Sequence, residues 1–295
     1  MSSPRSFVIL SLICVATAPI ASGIPGHEPA AWWDFSQPTD PWKQVNGNAT
    51  LMQYNLSHPV RLETDEHGIT AAVFGRNRLS TPRSSVPALA AISGKNATVT
   101  VIAWIRLDHQ LGGGAFVGGL WEEYDAARQY ALFLDGTGGC PTRDGVVAHI
   151  SAEGGPSPGK QYCESRACGA TVLDTNVWHC IANTYDGVAI KAFVNGTLDS
   201  KDNSDHNNPF MYPDPPQFPN GGIYQPSDGQ PGPDFALGAN FIHIGGGTGT
   251  PVLGNIFHGR IHAFSVHSEA LDAKIITTIC DTQFRRAQQR GRDAV

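Results

Sequence analysis

The sequence predicts an all-β fold, a sandwich of antiparallel sheets, on three observations. Short runs rich in Val, Ile, Phe and Trp recur between clusters of Gly, Pro, Asn and Asp. Helical periodicity is nearly absent before the C-terminal segment. The 33 glycines and 21 prolines are spread through the 295 residues without a three-residue period, which argues against collagen. No long stretch is dominated by Ala, Leu, Glu and Lys, which argues against a helical bundle. With 41% apolar and 16% charged residues the chain is not a disordered polyelectrolyte. Its formal charge of −6 has the wrong sign for a phosphate backbone, so nucleic acid is not an expected partner.

Taken in order, residues 1–23 read as an address. Arg5 precedes an apolar run from Phe7 to Ile20, followed by the small residues Ala21, Ser22 and Gly23. That is the layout of a secretory signal peptide cleaved near Gly23, and the run is too short for a membrane span. Loss of Arg5 takes the mature charge from −6 to −7. Four Asn-x-Ser/Thr sequons, at Asn48, Asn55, Asn96 and Asn195, fit the same secretory route and mark exposed positions for glycosylation. Five cysteines remain after the leader. An oxidising compartment pairs four of them, and sequence alone leaves the connectivity open. The expected pairs are Cys163 with Cys168 and Cys180 with Cys280.

Strands are predicted over 69–74, 98–107, 115–121, 129–134, 146–151, 178–185, 188–194, 241–245 and 257–266. Asp186-Gly187 is a two-residue hairpin signal, because a type I′ turn needs positive φ at both central positions. About 270 mature residues suit one large sandwich, with a domain over 24–285 and a charged tail over 286–295. A Pro- and Gly-rich insertion over 203–232 is too long for a simple connection and reads as a functional loop or flap.

Alternation along the strands assigns faces. Placing 129–134 beside 146–151 gives a core of Ala131, Phe133, Val146, Ala148 and Ile150. The opposite face collects Arg128, Tyr130, His149 and Ser151, and Trp121 shares a face of the preceding strand with Gly119. His149, Arg128 and Tyr130 are the expected catalytic residues. Trp121, Glu122, Ser151 and the insertion residues Phe210, Met211 and Tyr212 are the expected substrate contacts. His258 and His262 alternate on one strand, but no third ligand stands near them in sequence and CxxC spacing is absent, so no metal is expected. The segment 154–159 lacks the Lys-Ser/Thr and helix of a phosphate cradle and reads as a rigid rim.

Four runs carry a resemblance: Thr100-Val-Ile-Ala-Trp104-Ile; Trp178-His-Cys-Ile-Ala182-Asn-Thr-Tyr-Asp186-Gly187; Lys191-Ala-Phe-Val194-Asn195-Gly196; and Phe257-His-Gly259-Arg-Ile261 leading to Ala270-Leu271. In order and spacing the chain resembles the laminin G-like jelly rolls of the concanavalin A-like superfamily, over roughly residues 30–280. The resemblance implies a jelly-roll β-sandwich of two antiparallel sheets. His262 and Ala263 stand where relatives often carry an acidic pair, which weakens any calcium role carried over from them.

Three functions follow from that superfamily. A glycoside hydrolase would need two carboxylates about 5–5.5 Å apart, and the Glu-x-Asp-x-(x)-Glu motif is absent; adjacent Glu122 and Glu123 alternate to opposite sides. A polysaccharide lyase would use a Tyr or His base and an Arg, but the negative charge opposes a polyanion. In format the chain also resembles secreted fungal hetero-Diels-Alderases, which join a tropolone-type quinone methide, a polyketide, to a humulene-type sesquiterpene. That resemblance implies an apolar cavity with hydrogen-bond donors on the quinone methide carbonyl and no cofactor. A non-catalytic, lectin-like module with a glycan ligand is the main alternative, and the polysaccharide lyase stands third.

Overall fold

In the computed structural model of the chain, the described residues are 24–124, 127–135, 140, 142–157, 163, 165–199, 221–227, 232–242 and 250–293. Long strands with β-branched and aromatic residues build the centre of each sheet. The first sheet runs β13 (Thr197–Leu198), β12 (Ile190–Val194), β11 (Trp178–Tyr185), β6 (Val99–Leu107), β17 (Gly259–His267), β4 (Thr70–Phe74) and β3 (Arg61–Thr64), with β1 (Ala31–Asp34) also paired to β17. The second runs β10 (Arg166–Cys168), β9 (Gly145–Ile150), β8 (Ala127–Asp135), β7 (Ala115–Glu122), β14 (Phe235–Leu237), β5 (Leu79–Thr81) and β2 (Met52–Gln53). A small ribbon pairs β15 (Asn240–Ile242) with β16 (Val252–Gly254). The pairings are antiparallel, as the jelly-roll expectation requires.

Between the sheets lies the main core, with Ala103, Leu132, Ala148 and Ile181 fully buried. Trp33 of the first sheet stacks on Phe235 of the second at 4.4 Å, and Phe235 meets Phe264 edge-on at 5.5 Å. Burying an aromatic or aliphatic side chain of this size stabilises by about 1.5–3 kcal/mol, so this inter-sheet layer is the main tie between the halves. Gly118 sits there because a Cβ would fall 2.4 Å from Leu237 and 2.6 Å from Phe264.

The face assignment from sequence is off by one residue on β8. Residues directly opposite in an antiparallel pair share a face. The register pairs Tyr130 with Ile150, Ala131 with His149 and Phe133 with Val147. The interior therefore takes Tyr130, Leu132 and Leu134 with Val146, Ala148 and Ile150, and the outward face takes Ala131, Phe133, Val147 and His149. A bulge explains the error: Leu120 pairs with Tyr130 but Trp121 pairs with Arg128, which leaves Gln129 as the extra residue. Arg128 and Tyr130, two apart in sequence, consequently point to opposite sides.

Other expectations are also corrected. The turn at Asp186 is a four-residue loop, not a two-residue one: only Gly187 has positive φ, and the Asp186 carboxylate accepts from the Val188 and Ala189 amides. Paired positive φ occurs instead at Asn195 (50°) and Gly196 (78°), between β12 and β13. Disulfides join Cys180 to Cys280 and Cys140 to Cys168, so the local Cys163–Cys168 clip does not form and Cys163 is a buried free thiol. The Cys180–Cys280 bond fixes the helix α2 (Ala273–Asp293) across the outer face of the first sheet. This helix runs unbroken through the boundary expected at 285/286. Among the described residues no helix is long and apolar enough to cross a membrane.

Candidate functional site

The outward face of the second sheet gathers Phe116, Trp121, Ala131, Phe133, Val147 and Ala236 with Cys140, Cys163 and Cys168 into a buried cluster of its own. β7 and β8 are buried along their full lengths, on both faces. The backbones pack closely here. Gly119 has φ +149°, and a Cβ would fall 2.3 Å from the Tyr130 carbonyl oxygen.

The bulge at Gln129 brings Arg128 onto this outward face beside Trp121. Both are held by one carboxylate. Glu123 accepts from Trp121 Nε1 at 2.7 Å and from Arg128 Nε at 2.8 Å and Nη2 at 2.6 Å, while the Glu123 carbonyl takes a further Arg128 bond at 3.0 Å. Arg128 is thus a neutralised, oriented guanidinium rather than an unopposed cation. Its backbone N–H and its Nη1 both donate to the Gly154 carbonyl, at 3.1 and 3.5 Å. The predicted rim segment is therefore a real anchor.

His149 stands on this face with its ring centroid 5.1 Å from Trp121 and 5.1 Å from Phe133. Burial, then the nearby charges of Arg166 and Arg128, hold its pKa well below the usual histidine value, so the imidazole is neutral at physiological pH. Nδ1 is closed off from solvent and makes no hydrogen bond among the described residues. An imidazole set between two aromatic rings with an unmatched nitrogen is equipped to donate to, or accept from, a ligand atom. The thiol of Cys163, pushed up by burial, lies near Arg128 and Ser151 and adds no nucleophile in its protonated state.

The other expected residues divide. Tyr130 turns into the interior, where its hydroxyl donates to the Leu89 carbonyl at 3.2 Å and burial raises its pKa. It does not join Arg128 and His149, and with it goes the Tyr–Arg–His set that a lyase would use. Ser151 accepts from the Gly154 amide at 3.0 Å and ties down the rim. Glu122 goes to the opposite side from Glu123, as alternation required, and pairs with buried Arg78 at 2.5 Å. Phe210, Met211 and Tyr212 lie outside the described residues, as do Met1 to Gly23. Within the insertion, Tyr224 donates its amide to the Ser151 carbonyl and accepts from Gln129 Nε2 at 2.6 Å, so this end is bound to the rim rather than loose.

Glu123, Phe116, Phe133, Cys163 and Arg166 belong to the site and were not singled out from sequence. Arg166 lies directly opposite His149 on β10. One signal was available: Glu123 follows Trp121 by two and precedes Arg128 by five. His258 and His262 are not a pair. The Nδ1 atom of His262 bonds to the Thr70 carbonyl at 2.7 Å, whereas His258 faces His109. Among the described residues no group of three or more His, Cys, Asp or Glu is placed to hold a metal.

This arrangement of two antiparallel sheets is a jelly-roll β-sandwich with the concanavalin A-like fold. Residues 80–221 match the family Laminin_G_3, described as the Concanavalin A-like lectin/glucanases superfamily. No curated protein matches the chain. Among solved structures it is similar to domain 4 of AbnA, an extracellular GH43 arabinanase from Geobacillus stearothermophilus in complex with arabinotriose. That match has a TM-score of 0.53 and 16% identity, over 86% of this chain and 98% of that one. A botulinum neurotoxin type C structure, whose cell entry depends on two ganglioside molecules, matches at a TM-score of 0.50 and 11% identity over 86% of this chain and 50% of that one. Trypanosoma rangeli sialidase, in complex with a difluoro-KDN, matches at 0.50 and 13% over 89% and 33%. The chain thus spans about half the neurotoxin structure and a third of the sialidase. These likenesses define the fold, one shared by glycan-binding, glycoside hydrolase and sialidase domains.

Proposed function

We propose that the protein is a secreted, cofactor-independent pericyclic cyclase. In this reading it is a hetero-Diels-Alderase that joins a tropolone-type quinone methide to a sesquiterpene in fungal secondary metabolism. The outward face of β7, β8 and β9 is the reaction surface. The observation that carries the reading is His149: neutral, set between Trp121 and Phe133, with Nδ1 unmatched among the described residues. A sugar site wants hydroxyl-binding carboxylates and amides in an open groove, whereas this face gathers Phe116, Trp121 and Phe133 in a buried cluster and its carboxylate, Glu123, is taken up by Trp121 and Arg128.

The chemistry asks little of the protein beyond placement. The carbonyl oxygen and the exocyclic carbon of the quinone methide each form one σ bond to the alkene while the π electrons shift around the ring, so no nucleophile or net proton transfer is required. The aromatic walls hold both reactants in contact. With its proton on Nδ1, His149 donates to the quinone methide carbonyl and lowers its acceptor orbital, an effect worth about 10²–10³ in rate for one well-aimed donor. The same nitrogen serves as acid or base in the dehydration that unveils the quinone methide. Arg128, fixed by Glu123, orients the indole of Trp121 rather than touching the carbonyl.

The test is to incubate the purified protein with humulene and a quinone methide precursor and to follow the adduct by chromatography and mass spectrometry. His149→Phe lowers turnover by about 10²-fold without changing the thermal transition. Equal turnover by wild type and variant rejects the assignment.

A second reading rests on a different place. Tyr54, 56% exposed, meets Phe241 edge-on at 5.1 Å, with Tyr124 on the same ring at 6.0 Å and Arg78 over it at 4.5 Å. Such an aromatic cluster can stack against a sugar, in keeping with the arabinotriose and ganglioside complexes of the fold's neighbours. A lectin-like role would appear as glycan-array binding that Tyr54→Ala abolishes.

A further inference from the structure

A cleft of about 570 Å³ opens beyond the N-terminal end of β7, whereas Trp121 lies at the strand's other end. Its walls are the connection from β6 to β7, with His109, Leu111 and Gly112 to Gly114, and the connection from β16 to β17, with Asn255, Ile256 and His258. The rings of His109 and His258 stand 5.0 Å apart at 54°. Neither residue belongs to the face that carries His149.

The charges around these rings are unequal. His258 faces His109 and Arg76 on the positive side and Asp108 on the negative side. Asp108 is already engaged by Arg260 Nε at 3.6 Å, and Arg260 is also held by Glu63 at 3.2 Å. Two imidazoles therefore line the cleft, the charge of Arg76 reaches His258 from outside the lining, and the nearby carboxylate of Asp108 is shared with Arg260. Burial, then repulsion from His109 and Arg76, lowers the His258 pKa below the ordinary value. A cation would meet this repulsion; an anion would relieve it.

The rest of the lining specifies more than charge. Asn255 is held with φ +45°, its amide nitrogen donating to Asn240 at 3.0 Å and its carbonyl accepting from Phe116 at 2.7 Å. That fixes its side-chain oxygen, which an added Cβ on Gly114 would approach to 3.6 Å. Gly112 has open space where a side chain would stand. Leu111 and Ile256 supply apolar contact. We propose that this cleft is a binding site for a small hydroxy-carboxylate of sugar-acid size, its carboxylate lying between His109 and His258 within the field of Arg76, and a hydroxyl donating to Asn255. Binding is tighter at acid pH, where His258 takes up a proton against the bound anion.

Calorimetry and imidazole NMR with glucuronate, at about pH 5.5 and about pH 7.5, test this. Glucose serves as the carboxylate-free probe and sulfate as the bare anion. Wild type binds glucuronate at the lower pH and about tenfold more weakly at the higher one, with the His258 titration moved upward by ligand. H109A/H258A loses binding, and Arg76→Ala, a change at an exposed residue that leaves the fold intact, weakens it. Four results overturn the proposal: no glucuronate binding at the lower pH, equal binding of glucose, equal or tighter binding of sulfate, or affinity unchanged in both variants.

Discussion

On the outward face of the first sheet, α2 lies over Ile102, Trp104, Cys180, Ala182 and Phe193. The Trp104 indole stacks on Phe284 at 5.0 Å and donates to the Cys280 carbonyl at 3.1 Å, and Thr100 Oγ1 accepts from the Leu271 amide at 2.9 Å. A disulfide closes the seam. The outward face of the second sheet is buried to a similar degree, yet it holds an imidazole with Nδ1 unmatched and a guanidinium that needs Glu123 to balance it. Leaving a buried polar atom unpaired costs about 1–3 kcal/mol. The first face keeps an orphan too, His267 Nδ1 opposite Thr100, but a helix and a disulfide finish it; the second holds its imidazole between two aromatic rings, with no helix in its cluster among the described residues, as expected of a surface that works on a ligand.

The largest effect expected from this contrast is at the seam. The Cys180–Cys280 bond spans 100 residues, so replacing both cysteines by alanine lowers stability by about 4–5 kcal/mol. Thermal unfolding reads the loss, and turnover per folded molecule stays unchanged because the His149 face is untouched. A comparable loss of turnover would mean that α2 and the reaction surface are coupled, and the two faces would not be separable.

Next comes Glu123→Gln. Its carboxylate is a quarter exposed while the Arg128 side chain is 7% exposed. Unpairing the guanidinium then costs about 1–3 kcal/mol, less than for a fully buried pair. Urea titration measures it. Adding Arg128→Met to Glu123→Gln restores part of the loss, since no buried charge is then left alone; a simple sum of the two losses would show that the pair does not interact.

Much of this was legible in the sequence. The long central strands, from 98–107 to 178–185, announced themselves by β-branched and aromatic density, and they carry the fold. The short strands β2, β3, β5 and β10 did not: two to four residues show no period, and their pairing is decided by neighbours. The site was half legible. His149 and Trp121 were found by alternation, which holds locally on β9 and β7. Tyr130 was misplaced because a bulge at Gln129 is invisible to a period of two, and one residue of slip exchanges the faces of β8. Glu123 was read only as a failed partner for Glu122, although it stands two residues after Trp121 and five before Arg128, because alternation says nothing once the strand has ended. Cys140 was passed over in favour of the nearer Cys163, although sequence proximity does not decide which sulfurs meet.

The smallest effect separates the two faces most cleanly. Because the folded pKa of His149 lies well below its ordinary value, the imidazole is neutral in both folded and unfolded chains above about pH 6.5, and stability there is undiminished. As pH falls below that value the unfolded chain takes a proton that the native site refuses, and stability declines until the folded pKa is reached. His149→Phe removes that difference, so the acid limb becomes shallower by up to about 1.4 kcal/mol per pH unit. The limb does not vanish, because His267, buried and lowered to about 4, contributes a share of its own. At neutral pH the variant is as stable as wild type or slightly more so, since the unmatched nitrogen is gone and two aromatic neighbours gain a third. A neutral-pH loss above about 2 kcal/mol with the acid slope unaltered would make His149 an ordinary packing residue, and the second face would then be as finished as the first.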